Sequence, residues 1–393
     1  MNASFSFART PSVVFGCGSI ARLPELAAKF GQRALLVTGR RSWRSSKAGA
    51  EAIQSLHRAL QVVEVIRVEG EPSVELVDNA VEAVRPRGVE VVVAIGGGSV
   101  LDAGKAISAM LREGGPVTAF LEGVGHPERH TGTKVPFIAI PTTAGTGSEA
   151  TKNAVLTVHG PLPCKKSLRH DNFIPDMAIV DPDLSRTCPP EVTAACGMDA
   201  FTQLLESYVS TGASPLTDVL ALEGMAHVRD FLHRAVAHGL RDLEARAGMA
   251  YAALLSGITL ANAGLGVVHG LAGPLGALAP IPHGVACGTL LAAATKMTVQ
   301  SLLQAEGEHN QLALQKYATV GRLLTGESGS VEAQCTRLVE ALWEWTEALP
   351  IPRLGAYGLS EARLRQVADA GDNKNNPAPL TPEQRFSVLM ERL

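Results

Sequence analysis

Val91-Val-Val-Ala-Ile95 runs directly into Gly96-Gly97-Gly98-Ser99, and Leu101-Asp102-Ala-Gly-Lys-Ala-Ile107 follows with helical character. A β-branched apolar run, a glycine-rich turn and an amphipathic stretch, in that order, predict a buried strand that feeds a helix through a tight loop. Glycines there let the backbone approach a ligand closely, and the N–H groups at the helix start carry partial positive charge. The loop therefore suits a pyrophosphate; it equally suits a turn whose glycines serve packing alone. Two common fingerprints fail by count. G-x-G-x-x-G needs glycine where Leu101 stands, and G-x-x-x-x-G-K-[ST] needs glycine at Ser99 and a hydroxyl at Ala106.

Outward from this unit, the same alternation holds from residue 12 to about 185. Strands are expected at Ala34 to Thr38, Val62 to Val68, Val89 to Ile95, Pro136 to Ile140 and Met177 to Val180, with helices such as Lys47 to Leu60 and Val74 to Val84 between them. That pattern predicts a parallel sheet with helical crossovers. Phe137-Ile-Ala-Ile140 leads into a second polar loop, Pro141-Thr142-Thr143-Ala144-Gly145-Thr146-Gly147-Ser148, whose hydroxyls can surround phosphate or ribose oxygens. Two such loops after neighbouring strands would share the carboxyl edge of one sheet, where α/β proteins bind cofactors.

Beyond Asp181-Pro-Asp-Leu the strand signals stop. Pro189-Pro190 opens a helical half, continued by Ala200 to Tyr208, Thr217 to Ala237, Glu244 to Leu260 and Ser330 to Ala348. The expected fold is an α/β N-terminal nucleotide-binding domain over residues 1–185 and an all-helical C-terminal domain over 186–393, with a ligand cleft where they meet.

A length of 393 residues fits two such domains, and 35 Lys plus Arg against 38 Asp plus Glu, without long like-charge blocks, points to neither a nucleic-acid groove nor a polybasic membrane patch. The 6 cysteines include no C-x-x-C pair and read as reduced thiols. The segment from Met1 to Pro11 has no apolar stretch of signal-peptide length, so a cytoplasmic enzyme with small-molecule partners is expected.

Between Arg246 and Lys296 there is no Asp, Glu, Lys or Arg. Pro274, Pro280, Pro282 and many glycines interrupt this run, so it reads as buried helical core rather than a membrane span. It holds His269 and His283, and two imidazoles in apolar surroundings are costly unless hydrogen-bonded or bound to a metal. Upstream, Cys196-Gly-Met-Asp199-Ala-Phe-Thr-Gln203 begins a helix, with Asp199 and Gln203 on one face. Asp199 suits a metal ligand, or a carboxylate stabilised by the dipole of a first helical turn. Together, the two histidines and Asp199 favour ligation.

GGGSVLDAGKA, PTTAGTGSEAT, GMDAFTQLLESYVS, NAGLGVVHGLAGPLG and PHGVACGTLL, in this order, resemble the iron-containing alcohol dehydrogenase family, from about residue 10 to 390. The resemblance implies hydride exchange between NAD(P) and a small alcohol or aldehyde beside Fe²⁺ or Zn²⁺, in a homodimer or larger assembly. It matches Gly96, Gly97, Gly98, Ser99 and Asp102 to a pyrophosphate loop, and Thr142 and Thr143, with Thr146 nearby, to a second cofactor loop. Lys165 corresponds to a cofactor-contacting lysine, and Asp199, His269 and His283 to metal ligands, through which they would act in catalysis.

Three departures stand out. Gln203 occupies the place of a fourth, histidine ligand and offers a weaker, neutral oxygen. Gly273 replaces a frequent histidine near the substrate, which leaves proton transfer to water or the cofactor ribose. Thr38-Gly39-Arg40-Arg41 lacks the aspartate that NAD-using members often place beside the ribose, and Arg40 or Arg41 could attract a 2′-phosphate, so the reading leans to NADP over NAD; the alternative is that these arginines simply face solvent. The competing readings are an oxo-acid reductase of maleylacetate type, and a nucleotide-binding protein whose metal site has decayed at Gln203.

Overall fold

The computed structural model describes all residues except 1–3, 41–42, 44–45, 125–128 and 161–163. Among these described residues eight strands are formed: β1 (Ser12–Phe15), β2 (Arg33–Gly39), β3 (Gln61–Val68), β4 (Val91–Gly96), β5 (Phe137–Pro141), β6 (Asn153–Val158), β7 (Cys164–Arg169) and β8 (Met177–Val180). The helices before Pro189 are α1 (Leu23–Ala28), α2 (Lys47–Ala59), α3 (Val74–Val84) and α4 (Gly98–Met110). After it come α5 (Pro190–Val209), α6 (Pro215–His238), α7 (Leu243–Ala263), α8 (Val267–Leu278), α9 (His283–Gln304) and α10 (Glu308–Thr325). The last three are α11 (Val331–Ala348), α12 (Glu361–Ala370) and α13 (Pro382–Met390). No strand follows Val180 among the described residues.

The chain forms two compact units: Ala8–Cys188 with His238–Ala250, and Pro189–Ala237 with Tyr251–Leu393 and the described part of Met1–Phe7. The first is built on a six-stranded sheet in the order β1-β8-β5-β4-β2-β3, parallel throughout. Strand alternation divides its core in two. Leu35, Val37, Val92, Ala94, Phe137 and Ala139 face α3 and α4, whereas Ala34, Leu36, Val91, Val93, Ile95, Ile138 and Ile140 face α1 and α2. Both faces are apolar because helices cover both. From β2 the chain steps outward to β3; from β4 it turns the other way to β5 and β8, so the topological switch lies between β2 and β4.

The five expected strands of this sheet are present to within two residues, and β1, β6 and β7 are additional. β6 and β7 form an antiparallel pair, Asn153 opposite Arg169 through Val158 opposite Cys164.

In the second unit, α5 begins at Pro190, so Asp199 lies mid-helix and not in a first turn. That corrects the dipole explanation for Asp199, because helix-end stabilisation fades beyond the first turn. From Gly197 to Val209 every residue of α5 is buried, which makes it the central helix of this unit. No single described helix is long and apolar enough to cross a membrane; α7 and α8 together pass by composition but are bent by 102°.

Candidate active site

At the carboxyl edge of the sheet, Thr38 pairs with Ile95 and Gly96 with Pro141, so Gly39, the Gly96–Ser99 loop and the Thr142–Thr146 loop emerge side by side. α2 and α3 are capped by the Ser46 and Ser73 hydroxyls, but α4, whose N-cap is Gly97, has no side-chain cap among the described residues. Its first N–H groups are left for another acceptor. Gly96 and Gly98 are sterically required, whereas Gly97 would tolerate a Cβ. A Cβ on Gly96 would lie 2.5 Å from Val100, and one on Gly98 2.6 Å from the Thr146 methyl, while Gly97 stands against Thr143.

The second loop is pinned to the first: the Thr142 N–H donates to Gly96 O at 2.9 Å, and its hydroxyl is buried without a partner among the described residues. The Asp102 carboxylate accepts from Ser148 Oγ at 2.5 Å and from the Val155 N–H at 3.0 Å, so it ties α4 to the loop and to β6. Lys105, absent from the expected set, is buried and donates through Nζ to Ser148 O, Thr151 Oγ1 and Asn153 O at 2.7–2.9 Å. Burial lowers its ammonium to about 8 and raises the adjacent buried Glu149 carboxyl to about 7.

Lys165, on β7, is paired with Glu71 at 2.6 Å. Arg40 is exposed and reaches Glu69 at 3.6 Å, and Arg41 lies outside the described residues.

The metal candidates converge within the helical unit. Asp199 Oδ1 of α5, His269 Nε2 of α8, His283 Nε2 of α9 and Cys287 Sγ of α9 all lie within 4.8 Å of one another. Asp199 Oδ1 is 3.4 Å from His269 Nε2 and 3.7 Å from His283 Nε2, yet it is buried without a hydrogen bond among the described residues. An unpartnered carboxylate oxygen facing two imidazole nitrogens and a sulfur is an arrangement that a divalent cation satisfies. The residues present therefore fit such an ion.

Close helix approach makes this possible, and three candidate ligands each sit beside a glycine. A Cβ on Gly270 would come within 1.9 Å of Asp372 O, one on Gly284 within 2.6 Å of Ala195 O, and one on Gly288 within 2.8 Å of Met198 Cβ. These positions let α8 meet the Asp372 loop and α9 meet α5 backbone to side chain. Gly273 has nothing within 4 Å of its Cβ position and leaves open space.

Glu206 is a residue that the sequence reading missed. One carboxylate oxygen accepts from the Val268 N–H at 2.7 Å, at the start of α8, and the other meets His269 Nδ1 at 2.6 Å. With Nδ1 donating to Glu206, Nε2 faces Asp199 and is the ring atom that an ion would take, in exchange for its proton. Gln203, one turn after Asp199, is buried and its carboxamide oxygen accepts from Ser256 Oγ of α7 at 2.8 Å.

Electrostatics follow the convergence. Burial opposes charge on Asp199, but His283 and His269 outweigh it and hold the carboxyl below its usual range. Burial likewise disfavours protonated His269, which Cys287, Glu206 and Asp199 together raise well above the ordinary imidazole value. Cys287 is the largest influence on His283, which is raised to about 9. The His283 side chain is 40% exposed, so the site opens to its surroundings there.

Residues 10–182 match the profile for iron-containing alcohol dehydrogenase, and residues 193–392 the profile for the C-terminal part of the same family. Among curated relatives, an NADPH-dependent butanol dehydrogenase from Clostridium saccharobutylicum is 32% identical over 362 residues, covering 91% of this chain and 88% of its own. An NAD-dependent methanol dehydrogenase from Bacillus methanolicus is 34% identical, with 70% and 71% covered. A solved alcohol dehydrogenase from an archaeal halo-thermophilic source, a Red Sea brine pool, superposes with a TM-score of 0.90 at 26% identity, covering 100% of this chain and 99% of that one. Profiles spanning nearly the whole sequence, over a parallel-sheet unit and a helical unit, place this chain in the iron-containing alcohol dehydrogenase family of NAD(P)-dependent enzymes.

Proposed function

We propose that the chain exchanges hydride between a nicotinamide cofactor and a small alcohol or aldehyde, with Asp199, His269 and His283 holding a divalent ion. The observation that carries this reading is the buried, unpartnered Asp199 Oδ1 at the meeting point of two imidazole nitrogens. When bound, the ion supplies Lewis acidity toward a hydroxyl or carbonyl oxygen, and the nicotinamide gives or takes the hydride. Residues 1–185 would serve the cofactor and 186–393 the metal and substrate.

The chain's own residues prepare the chemistry. Glu206 fixes the His269 ring through Nδ1 so that Nε2 faces Asp199, and the exposed edge of His283 gives access. Gly273 provides room without a proton-carrying group. Residues 247–295, which hold His269, Gly273 and His283, carry no Asp, Glu, Lys or Arg, which supports neutral substrates such as those in the names of the methanol and butanol dehydrogenase relatives.

The uncapped start of α4, beside the Thr142–Thr146 loop, suits the cofactor pyrophosphate. Gly39 emerges at the same edge without a carboxylate, and Arg40 makes an exposed ion pair with Glu69, worth about 0–1 kcal/mol. That supports NADP, an arginine being free to exchange Glu69 for a 2′-phosphate. Oxidation of NADPH against NADH across a series of aldehydes measures the preference; a clear advantage for NADH removes it. Replacing His269 by Ala should lower kcat by at least about 10²-fold, as for loss of one transition-state electrostatic contact. Cofactor binding, followed by fluorescence, should be retained, and full activity of the variant in chelator would refute the site.

A further inference from the structure

We propose that Cys287 is a ligand to the divalent ion, its sulfur supplying the fourth donor beside Asp199, His269 and His283. The inference rests on the metal-dependent reading above and concerns which atoms complete the centre. Cys287 Sγ lies 3.6 Å from His269 Nε2 and 3.6 Å from His283 Nε2, and His283 and Cys287 are one turn apart on the same face of α9. Around a tetrahedral zinc with bonds of about 2.0 Å to nitrogen or oxygen and 2.3 Å to sulfur, nitrogen and sulfur stand about 3.5 Å apart and oxygen and nitrogen about 3.3 Å. The four separations of 3.6, 3.6, 3.4 and 3.7 Å follow these edges closely.

Gln203 already has a hydrogen-bond partner. Its carboxamide oxygen is engaged by Ser256 Oγ at 2.8 Å, and it carries no charge to offer a cation. A buried cysteine ordinarily acts as a small apolar group. Cys335 fits that description, being buried with its sulfur on the Leu314 carbonyl at 3.4 Å. Cys287 is equally buried, but its sulfur faces two ring nitrogens. Binding releases the thiol proton to solvent, and the resulting Asp-His-His-thiolate set suits a borderline ion such as Zn²⁺.

The test uses the full chain, stripped of metal and reloaded with one equivalent of Co²⁺ or Zn²⁺. The native chain should show sulfur-to-cobalt charge-transfer absorption in the near ultraviolet, and Cys287→Ser should lack it and bind Zn²⁺ at least about tenfold more weakly in chelator competition. Native affinity and an unchanged cobalt spectrum in Cys287→Ser would overturn the proposal. His269→Ala separates the two failures: if it loses Co²⁺ while Cys287→Ser does not, Cys287 is no ligand but the metal centre stands. If His269→Ala also binds Co²⁺ as the native chain does, both readings fall. X-ray absorption of the zinc-loaded native chain decides the question without any variant: a zinc–sulfur shell at about 2.3 Å supports ligation, and a shell of nitrogen and oxygen alone excludes it.

Discussion

Glu206 divides one carboxylate between two tasks, closing the first turn of α8 through the Val268 N–H and orienting His269 through Nδ1. Glu206→Gln should separate them. The amide oxygen can still accept from Val268, but the amide N–H₂ facing Nδ1 moves the imidazole proton to Nε2, where it excludes a cation. Zn²⁺ affinity should fall about 10- to 100-fold in competition titration while the melting temperature hardly changes. A parallel loss of both would mean that Glu206 serves folding alone. Glu206 follows Gln203 by three residues, a helical spacing that puts it beside the candidate ligands, yet no local motif marks it. Cys287 was obscure for a similar reason. Thiols are recognised in sequence by pairs, and this one takes its meaning from a histidine one turn earlier and a carboxylate on another helix. Asp199, His269 and His283 were legible because isolated polar groups in apolar runs demand partners.

Helix contacts convert these residues into a constellation. Gly270→Ala should be destabilising by about 1–3 kcal/mol, since its methyl would meet the Asp372 carbonyl and the backbone of α8 must shift. Urea denaturation measures this, and a midpoint equal to that of the native chain would show that the loop moves aside freely. The strands of the main sheet were readable because β2, β4, β5 and β8 are buried runs of β-branched and aliphatic residues bounded by turn residues. β7 was not, because Cys-Lys-Lys-Ser-Leu-Arg has one buried side chain and acquires strand geometry from pairing with β6. β1 is four residues long and mostly exposed, held by β8, a partner far along the chain. The first-turn alternative for Asp199 falls because the helix that Pro189-Pro190 opens runs on through Cys196-Gly197 without a break.

For the molecule as a whole, the buried pair Lys105 and Glu149 couples stability of the α/β unit to pH. Glu149 is raised from an ordinary 4.5 to about 7, so its contribution is complete below 4.5 and lost as pH rises through 7. Lys105 is lowered from 10.5 to about 8, so its contribution is complete above 10.5 and lost as pH falls through 8. The two penalties meet near pH 7–8. Glu149→Gln removes the first, and at pH 8 should stabilise the protein by up to about 3 kcal/mol, with little effect at pH 4.5. Urea midpoints measured at both pH values check this; equal shifts at the two would contradict the assignment.

One feature of the helical unit bears on handling rather than catalysis. Residues 247–295 carry no Asp, Glu, Lys or Arg, and they supply most of α7, all of α8 and the first half of α9. While packed, they need no charge to stay in solution. Released by heat, they become a long neutral ribbon able to stick to its counterpart on another chain faster than it refolds. Thermal inactivation should then depend on heating rate and protein concentration, so shelf life would be governed by how seldom this ribbon comes loose.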